Sequence, residues 1–157
     1  MTKISSAVVS AALAIGMATP ASAATSDPEV IVYRFPGVTD SGSGPGFGVA
    51  TVFHCTNFSG VDENIRFATR RNDGQLVSNK VFIFPHLSTG TLSTHITAAY
   101  MQSADLAAQL VLQGTTAIAA TSVNVICTAE TIDASTTAPV GVARRGIRFN
   151  PVPGSQE

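Results

Sequence analysis

Five residues of this chain belong to the types that most readily bind metals or act as nucleophiles. They are the histidines His54, His86 and His95 and the cysteines Cys55 and Cys127. No two of them form a closely spaced pair such as H-x-H or C-x-x-H, and strand neighbours such as His54 and Cys55 point to opposite faces. Only His54 and His95 could meet on neighbouring strands. We therefore predict no metal site and no cofactor, and keep His54 and His95 as the metal candidates.

Catalytic motifs are scarce although serine and threonine are plentiful. An activated serine usually occupies a strained turn of the form G-x-S-x-G, which the sequence lacks. The glycine-rich run 42–48 is followed by no lysine and leads into a predicted strand, so it is a connector and not a phosphate-binding loop. We predict that the protein is not an enzyme. The alternative is a small exported enzyme or metal-binding protein that uses His54 and His95.

Four arginines could form a binding face for an anion. Arg66 and Arg70 share one strand face at period two, and Arg144 and Arg148 share another. If the two strands were neighbours, the guanidinium groups would form a basic stripe suited to carboxylates or phosphates. The expected partner would then be an acidic glycan or a cell-surface protein. The alternative is a solvated outer face that keeps the sheet soluble.

The composition excludes several classes of protein. The 157 residues are 45% hydrophobic and only 12% charged, with a formal net charge of -1. A disordered chain needs low hydrophobicity and high net charge, and a nucleic-acid-binding protein usually has a basic excess. A coiled coil would be rich in charged helix formers. We therefore expect a folded protein with no nucleic-acid partner.

Residues 1–23 have the pattern of a cleaved secretory signal peptide. Lys3 is the only charge before Asp27, an apolar stretch covers 7–18, and Ala21-Ser22-Ala23 offers a small-residue cleavage site. The apolar stretch is shorter than the about 20 residues that a helix needs to span a bilayer. We expect cleavage after Ala23 and export of the remaining chain.

Export defines the expected domain plan and location. Residues 24–150 should form one domain, because the length leaves no room for a second sizeable core, and residues 151–157 should form a C-terminal tail. No later apolar run is long enough to span a bilayer, so no membrane insertion is expected after cleavage. The expected location is the periplasm or the extracellular space. The excess of Arg over Lys, typical of GC-rich codon usage, favours a bacterial source.

The dominant periodicity of the exported part is that of β-strands. Alternating or compact β-branched runs are separated by Gly, Pro, Asn and Asp. Asn72-Asp73-Gly74 is a strong turn motif between two such runs. Ser103 could cap a short helix over 103–112, in which Leu106 and Leu110 are spaced i, i+4. The predicted strand segments are 29–35, 47–56, 64–70, 76–84, 87–98, 115–131 and 140–149.

The two cysteines complete the predicted fold. An exported protein with two cysteines is expected to pair them, so we predict a Cys55–Cys127 disulfide. Both lie on strand faces shared with apolar residues, and the predicted bridge joins two sheets face to face. The fold class is therefore all-β: an antiparallel immunoglobulin-like β-sandwich of 7–8 strands, with one short helix allowed near 103–112. The missing Trp, and Val125 in place of a tyrosine corner, depart from a true immunoglobulin domain.

Three short motifs carry a resemblance to known proteins. They are Phe53-His54-Cys55-Thr56-Asn57, Val125-Ile126-Cys127-Thr128 and Phe149-Asn150-Pro151. The chain resembles a group of small exported bacterial two-Cys β-sandwich proteins of unassigned function. The resemblance implies export and the two-Cys sandwich, and it transfers no activity.

The function predicted from these observations is that of an exported module without catalysis. It would have a binding or structural role in the periplasm or at the cell surface. A narrower alternative is a fimbrial-type subunit, which would need an incomplete sandwich and a donor strand. The late strand at 140–149 could complete this fold, so the fimbrial alternative ranks below the other two.

Overall fold

The computed structural model describes residues 29–42 and 45–149. The predicted signal peptide, residues 1–23, and the predicted tail, residues 151–157, lie outside these ranges. Within them the chain forms ten β-strands and no helix. The strands are β1 (Val30–Asp40), β2 (Val49–Asn57), β3 (Glu63–Arg71), β4 (Leu76–Phe84), β5 (Thr89–Ser93), β6 (Ala104–Asp105), β7 (Val111–Ala120), β8 (Val125–Asp133), β9 (Gly141–Arg144) and β10 (Ile147–Arg148).

The strands form two five-stranded sheets that pack against each other. The first, sheet A, has the order β10-β1-β7-β3-β4, and the second, sheet B, has the order β6-β5-β2-β8-β9. All strand pairs are antiparallel except the short parallel pair β5–β6. The predicted all-β sandwich is confirmed. The strands number ten and not seven or eight, partly because the predicted segments 115–131 and 140–149 each divide into two strands.

Aromatic side chains link the two sheets through the core. Phe35 of β1 and Phe67 of β3 come from sheet A, and Phe53 of β2 comes from sheet B; all three are at most 1% exposed. The Phe53 ring lies 5.6 Å from that of Phe35 and 5.9 Å from that of Phe67 between ring centroids. Such tilted contacts are the preferred geometry of aromatic pairs. The period-two pattern of the strands thus places one phenylalanine of each on the shared inner face.

The β3–β4 hairpin confirms the predicted turn. Gly74 has a φ of 84°, a conformation that glycine adopts at little cost. The Asp73 carboxylate accepts a hydrogen bond from the Gln75 backbone N–H at 2.9 Å. The turn therefore uses the local hydrogen bonding that favours Asp and Gly at such positions.

Cys55 and Cys127 form the predicted disulfide, but not between the sheets. They face each other on β2 and β8, neighbouring strands of sheet B, and their Cα atoms lie 4.2 Å apart. Packed sheets are roughly 10 Å apart, whereas directly opposed residues of an antiparallel pair are about 4.5–5.5 Å apart. The prediction of a bridge joining the two sheets is therefore wrong, since the bond lies within one sheet.

The predicted helix at 103–112 does not form. The segment contains β6 and then Ala107, whose φ is 48° and whose N–H donates a turn-type hydrogen bond to Asp105 Oδ1. The Leu106 N–H donates to the Ser93 carbonyl, and its own carbonyl accepts from the Ser78 hydroxyl. Contacts with β5 and β4 thus replace the local helical bonds. None of the described residues belongs to a helix able to cross a membrane.

Candidate functional site

The first candidate lies on the outer face of sheet B, around His54. Its Nδ1 is 3.0 Å from Thr91 Oγ1 on β5, and its Nε2 is 3.6 Å from Glu130 Oε1 on β8. The Tyr100 ring packs edge-on against the imidazole at 4.9 Å between centroids. Because residues 54, 91 and 130 lie on three adjacent strands, the register of the sheet brings them together. Tyr100 arrives on the segment 94–103 that follows β5.

Tyr100 is the residue most strongly tied to this group. Its hydroxyl donates a short hydrogen bond to Glu130 Oε1. That hydrogen bond, with desolvation and the negative charge of Glu130, raises the pKa of Tyr100 to about 12. The bond holds the Tyr100 segment, residues 94–103, over the outer face of sheet B. Beneath it, Val52 and Ser93 are fully buried although they lie on that outer face.

The order Thr91–His54–Glu130 repeats the hydroxyl–imidazole–carboxylate order of a hydrolase triad. The contacts of Glu130 differ from those of such a triad. The 3.6 Å between His54 Nε2 and Glu130 Oε1 is too long for a strong hydrogen bond, and the same oxygen accepts from Tyr100. Glu130 is therefore engaged by the phenol, and the cluster fixes a loop to a sheet.

The second candidate is the pair of His95 and Asp40 at one end of the sandwich. His95 Nδ1 lies 3.0 Å from Asp40 Oδ1, and its Nε2 lies 3.0 Å from the Phe47 carbonyl oxygen. The Asp40 side chain is 4% exposed and that of His95 is 12% exposed. The hydrogen bond to Asp40 is the main cause that raises the pKa of His95. Both ring nitrogens face acceptors, so the doubly protonated imidazolium satisfies both.

The two metal candidates occupy separate sites. His54 pairs with Thr91 in the register of β2 and β5, whereas His95 lies beyond the end of β5 beside Asp40. Within residues 29–42 and 45–149, no three His, Cys, Asp or Glu side chains gather closely enough to hold a metal ion. His86 is exposed and accepts a hydrogen bond from the Gly60 N–H. The sequence allows His54 and His95 to meet on neighbouring strands, but the structure holds them beside different partners.

The four arginines proposed as one binding face are dispersed. Arg66 and Arg70 lie on β3, which β7 and β1 separate from the β10 strand of Arg148, and Arg144 lies on β9 in the other sheet. Each guanidinium has its own partner. The hydrogen-bond acceptors are Glu29 for Arg66, the Gly74 carbonyl for Arg70, Thr131 for Arg144 and the Val123 carbonyl for Arg148.

The stripe on adjacent strands is therefore not formed. The Glu29 hydrogen bond raises the pKa of Arg66, so this cation is neutralised locally by a carboxylate. Arg34 also lies on the outer face of sheet A with Arg66 and Arg70, because it pairs with Ala117, which in turn pairs with Ala68. Arg34 lies inside an apolar run of the sequence, and this position does not indicate that it shares a sheet face with Arg66 and Arg70.

The third candidate is the outer edge of β4, which sequence reasoning did not single out. Strand β4 pairs only with β3, so its other side meets no strand among the described residues. Residues 79–84 of this strand are here called the β4 edge, and three of their side chains are large and exposed. They are Lys80, Val81 and Ile83.

A groove lies beside the β4 edge, between the two sheets. It has a volume of about 270 Å³ and is lined by Phe82, Phe84 and Pro85 on one side and by Thr89, Gly90 and Leu92 on the other. A Cβ on Gly90 would lie 2.2 Å from the Phe84 ring. Glycine at this position therefore allows the Phe84 ring to lie directly on β5 and to form the floor of the groove.

Comparison of the chain with protein-family models, with curated proteins and with solved structures gave no match in any of the three.

Proposed function

We propose that the protein is an exported β-sandwich module that binds another protein in the bacterial periplasm or at the cell surface and performs no catalysis. The observation that carries this proposal is the apolar character of the outermost strands. Large apolar side chains are exposed at the strands that end the two sheets: Leu76, Val81 and Ile83 on β4, Val142 on β9 and Ile147 on β10. Apolar groups on exposed edges are contact surfaces for other chains.

Export is supported by two independent features. Residues 1–23 have the charged, apolar and small-residue order of a cleaved signal peptide. The Cys55–Cys127 disulfide is of the kind that persists in oxidising compartments.

A protein partner fits the surface better than an acidic glycan. A glycan would need several free guanidinium groups on one face. On β3, Arg66 is bound by Glu29 and Arg70 by the Gly74 carbonyl, while Arg144 and Arg148 lie on other strands. The exposed valines and isoleucines instead suit the apolar centre of a protein–protein contact.

The alternative of an enzyme or metal carrier built on His54 and His95 has less support. The two histidines are held in different places by Thr91 and by Asp40. Calorimetric titration of the mature protein with zinc and copper distinguishes a metal carrier from the proposed binding module. Stoichiometric binding that is lost in His54→Ala or His95→Ala would favour the alternative.

The proposal is tested by expressing the full chain in a bacterium and fractionating the cells. We expect the protein in the periplasm or the medium, with a mass that begins at Ala24 and contains no free thiol. A photoreactive amino acid placed at Ile83, Val142 or Ile147 should crosslink to an envelope protein. The same group at Ala117, on the central strand β7 that β1 and β3 flank, should not. A cytoplasmic chain that keeps Met1, or no crosslink from any of the three positions, would overturn the proposal.

A further inference from the structure

The β4 edge has no strand on its outer side in the described part of the chain. Leu106 covers the beginning of β4, because its carbonyl accepts from the Ser78 hydroxyl. Beyond Ser78 the strand continues to Phe84 without a second partner strand in the described chain. In an antiparallel pair, every second residue turns its N–H and C=O away from its neighbour. The β4 edge therefore presents backbone groups that can pair with an added strand, up to the Phe84 carbonyl, which already accepts a hydrogen bond from Asn57 Nδ2.

Lys80 gives this edge a charge preference. It pairs in register with Phe67, whose side chain is fully buried on the inner face of sheet A. Residues directly opposite each other lie on the same face, so Lys80 is an inward-facing cation on an edge strand, yet it is exposed. No ion pair of Lys80 occurs among the described residues. An added strand would place one of its side chains directly opposite this ammonium group.

The neighbours of Lys80 give the edge an apolar preference on both sides. On the inner face, Phe82 and Phe84 line the groove of about 270 Å³. On the outer face, Val81 and Ile83 are 42% and 65% exposed. A β-strand added here would bury alternate apolar side chains against these residues, because successive side chains of a strand point to opposite faces.

We propose that the β4 edge binds an extended segment of a partner protein, which adds to sheet A as a sixth strand and carries an acidic side chain opposite Lys80. This inference rests on the proposed binding function and names the partner's chemistry and the surface that it uses. Backbone hydrogen bonds supply general affinity, and the groove and Lys80 supply selectivity, as in other cases of strand addition.

A second copy of the chain fits this edge less well. Two β4 strands related by a twofold axis would pair antiparallel, and full overlap of Leu76–Phe84 places Lys80 directly opposite its own copy. Like charges opposite each other on neighbouring strands are destabilising. The charge of Lys80 thus opposes self-pairing in that register, whereas an acidic side chain of a partner strand would pair with it.

The test uses synthetic nine-residue peptides with alternating valine and threonine and either glutamate or lysine at the centre. The mature, disulfide-bonded protein is titrated with each peptide, and binding is followed by fluorescence anisotropy and by backbone amide NMR shifts. We expect the glutamate peptide to bind about fivefold more tightly than the lysine peptide. The shifts should concentrate at residues 79–84. Lys80→Glu should reverse the preference, and the matched control Arg145→Glu, an exposed charge between β9 and β10, should leave it unchanged.

Each contrary outcome has a distinct meaning. Equal binding of the two peptides, or an unchanged preference in Lys80→Glu, would overturn the role of Lys80 and so the proposal. Shifts on β9 or β10 instead of β4, or dimers of the wild-type protein whose interface is β4, would do the same. Crosslinks in cells from Val142 and Ile147 but not from Ile83 would overturn this assignment while leaving the binding function intact. The absence of crosslinks from all three positions would reject the binding function itself.

Discussion

His95 and Asp40 form a nearly buried pair that joins the β1–β2 connection to the chain beyond β5. His95 Nδ1 is 3.0 Å from Asp40 Oδ1, while its Nε2 is 3.0 Å from the carbonyl oxygen of Phe47. The imidazolium form can donate through both nitrogens, whereas the neutral ring can donate through only one. The contact of His95 with Phe47 is therefore firmest when His95 is protonated.

This pair predicts that stability falls as the pH rises above about 6.5, the ordinary pKa of histidine. The folded-state pKa of His95 is raised, chiefly by the hydrogen bond to Asp40. The stabilisation is then complete below the unfolded-state pKa and is lost as the pH rises through the folded-state pKa. His95→Gln should cost about 2 kcal/mol of unfolding free energy at pH 5.5, as expected when a buried partner loses its bond, and less at pH 8.5. Urea unfolding at the two pH values measures both quantities.

A double-mutant cycle provides the control for the histidine prediction. The coupling energy between His95→Gln and Asp40→Asn should be larger at pH 5.5 than at pH 8.5. A coupling energy that does not change with pH would show that the protonation of His95 does not control this contact.

The disulfide predicts a large loss of stability when it is removed. Cys55 and Cys127 are 72 positions apart, and closing a loop of that length is worth about 4 kcal/mol in the chain-entropy model. The double variant Cys55→Ala/Cys127→Ala should therefore unfold at a markedly lower urea concentration than the oxidised wild type. The reduced wild type serves as its reference, because it lacks the bond but keeps both side chains. A loss below about 1 kcal/mol would contradict the prediction.

Lys80 is predicted to keep the β4 edge from pairing with itself. Replacing it by valine removes the inward-facing charge from an open edge strand, and natural proteins use such charges to prevent edge-to-edge association. Lys80→Val should form dimers or larger assemblies in size-exclusion chromatography with light scattering, at concentrations where the wild type is monomeric. Ala117→Val adds a valine to the outer face of β7, the central strand of sheet A, which β1 and β3 flank, and this variant should remain monomeric. Equal behaviour of the two variants would argue against an edge effect.

Tyr100 is predicted to ionise unusually late because its hydroxyl donates to Glu130. With a pKa of about 12, only about a tenth of the phenol should be ionised at pH 11, whereas an ordinary tyrosine would be about nine-tenths ionised. Absorbance titration in a Tyr33→Phe background isolates Tyr100, since the chain contains two tyrosines. Glu130→Gln should return the transition towards pH 10. An unchanged titration in Glu130→Gln would mean that Glu130 does not hold the phenol.

The strands could be predicted because their physics is local. Alternating apolar residues in β2 and β3, and Asn72-Asp73-Gly74 between two apolar runs, are sufficient to place strands and a turn. The local spacing in 103–112 predicts a helix, but no helix forms there. The Leu106 backbone is instead hydrogen-bonded to Ser93 and Ser78 on other strands. Local preference was overridden by contacts that no window of the sequence contains.

The contacts of the site residues were harder to predict from the sequence because they depend on the order of the strands. Alternation indicates that Cys55 and Cys127 face inwards, but it does not show that β2 and β8 are neighbours. Lys80 stands out in an apolar run, yet its meaning depends on β4 being the last strand of sheet A. Tyr100 reaches His54 through a loop whose path is set by tertiary contacts. Each of these facts depends on the order of the strands, which the spacing of residues in the sequence does not show.

The position of the disulfide also determines how the domain would respond to a pulling force. The two ends of the described chain lie side by side, because Tyr33 of β1 pairs with Arg148 of β10 and the Phe149 N–H donates to the Val32 carbonyl. A force that separates these ends would act first on the two-residue strand β10 and then on β1. Extension would stop at Cys55 and Cys127, because the covalent bond between them carries the load. Strands β3 to β7 lie within that 72-position loop and would remain mechanically shielded.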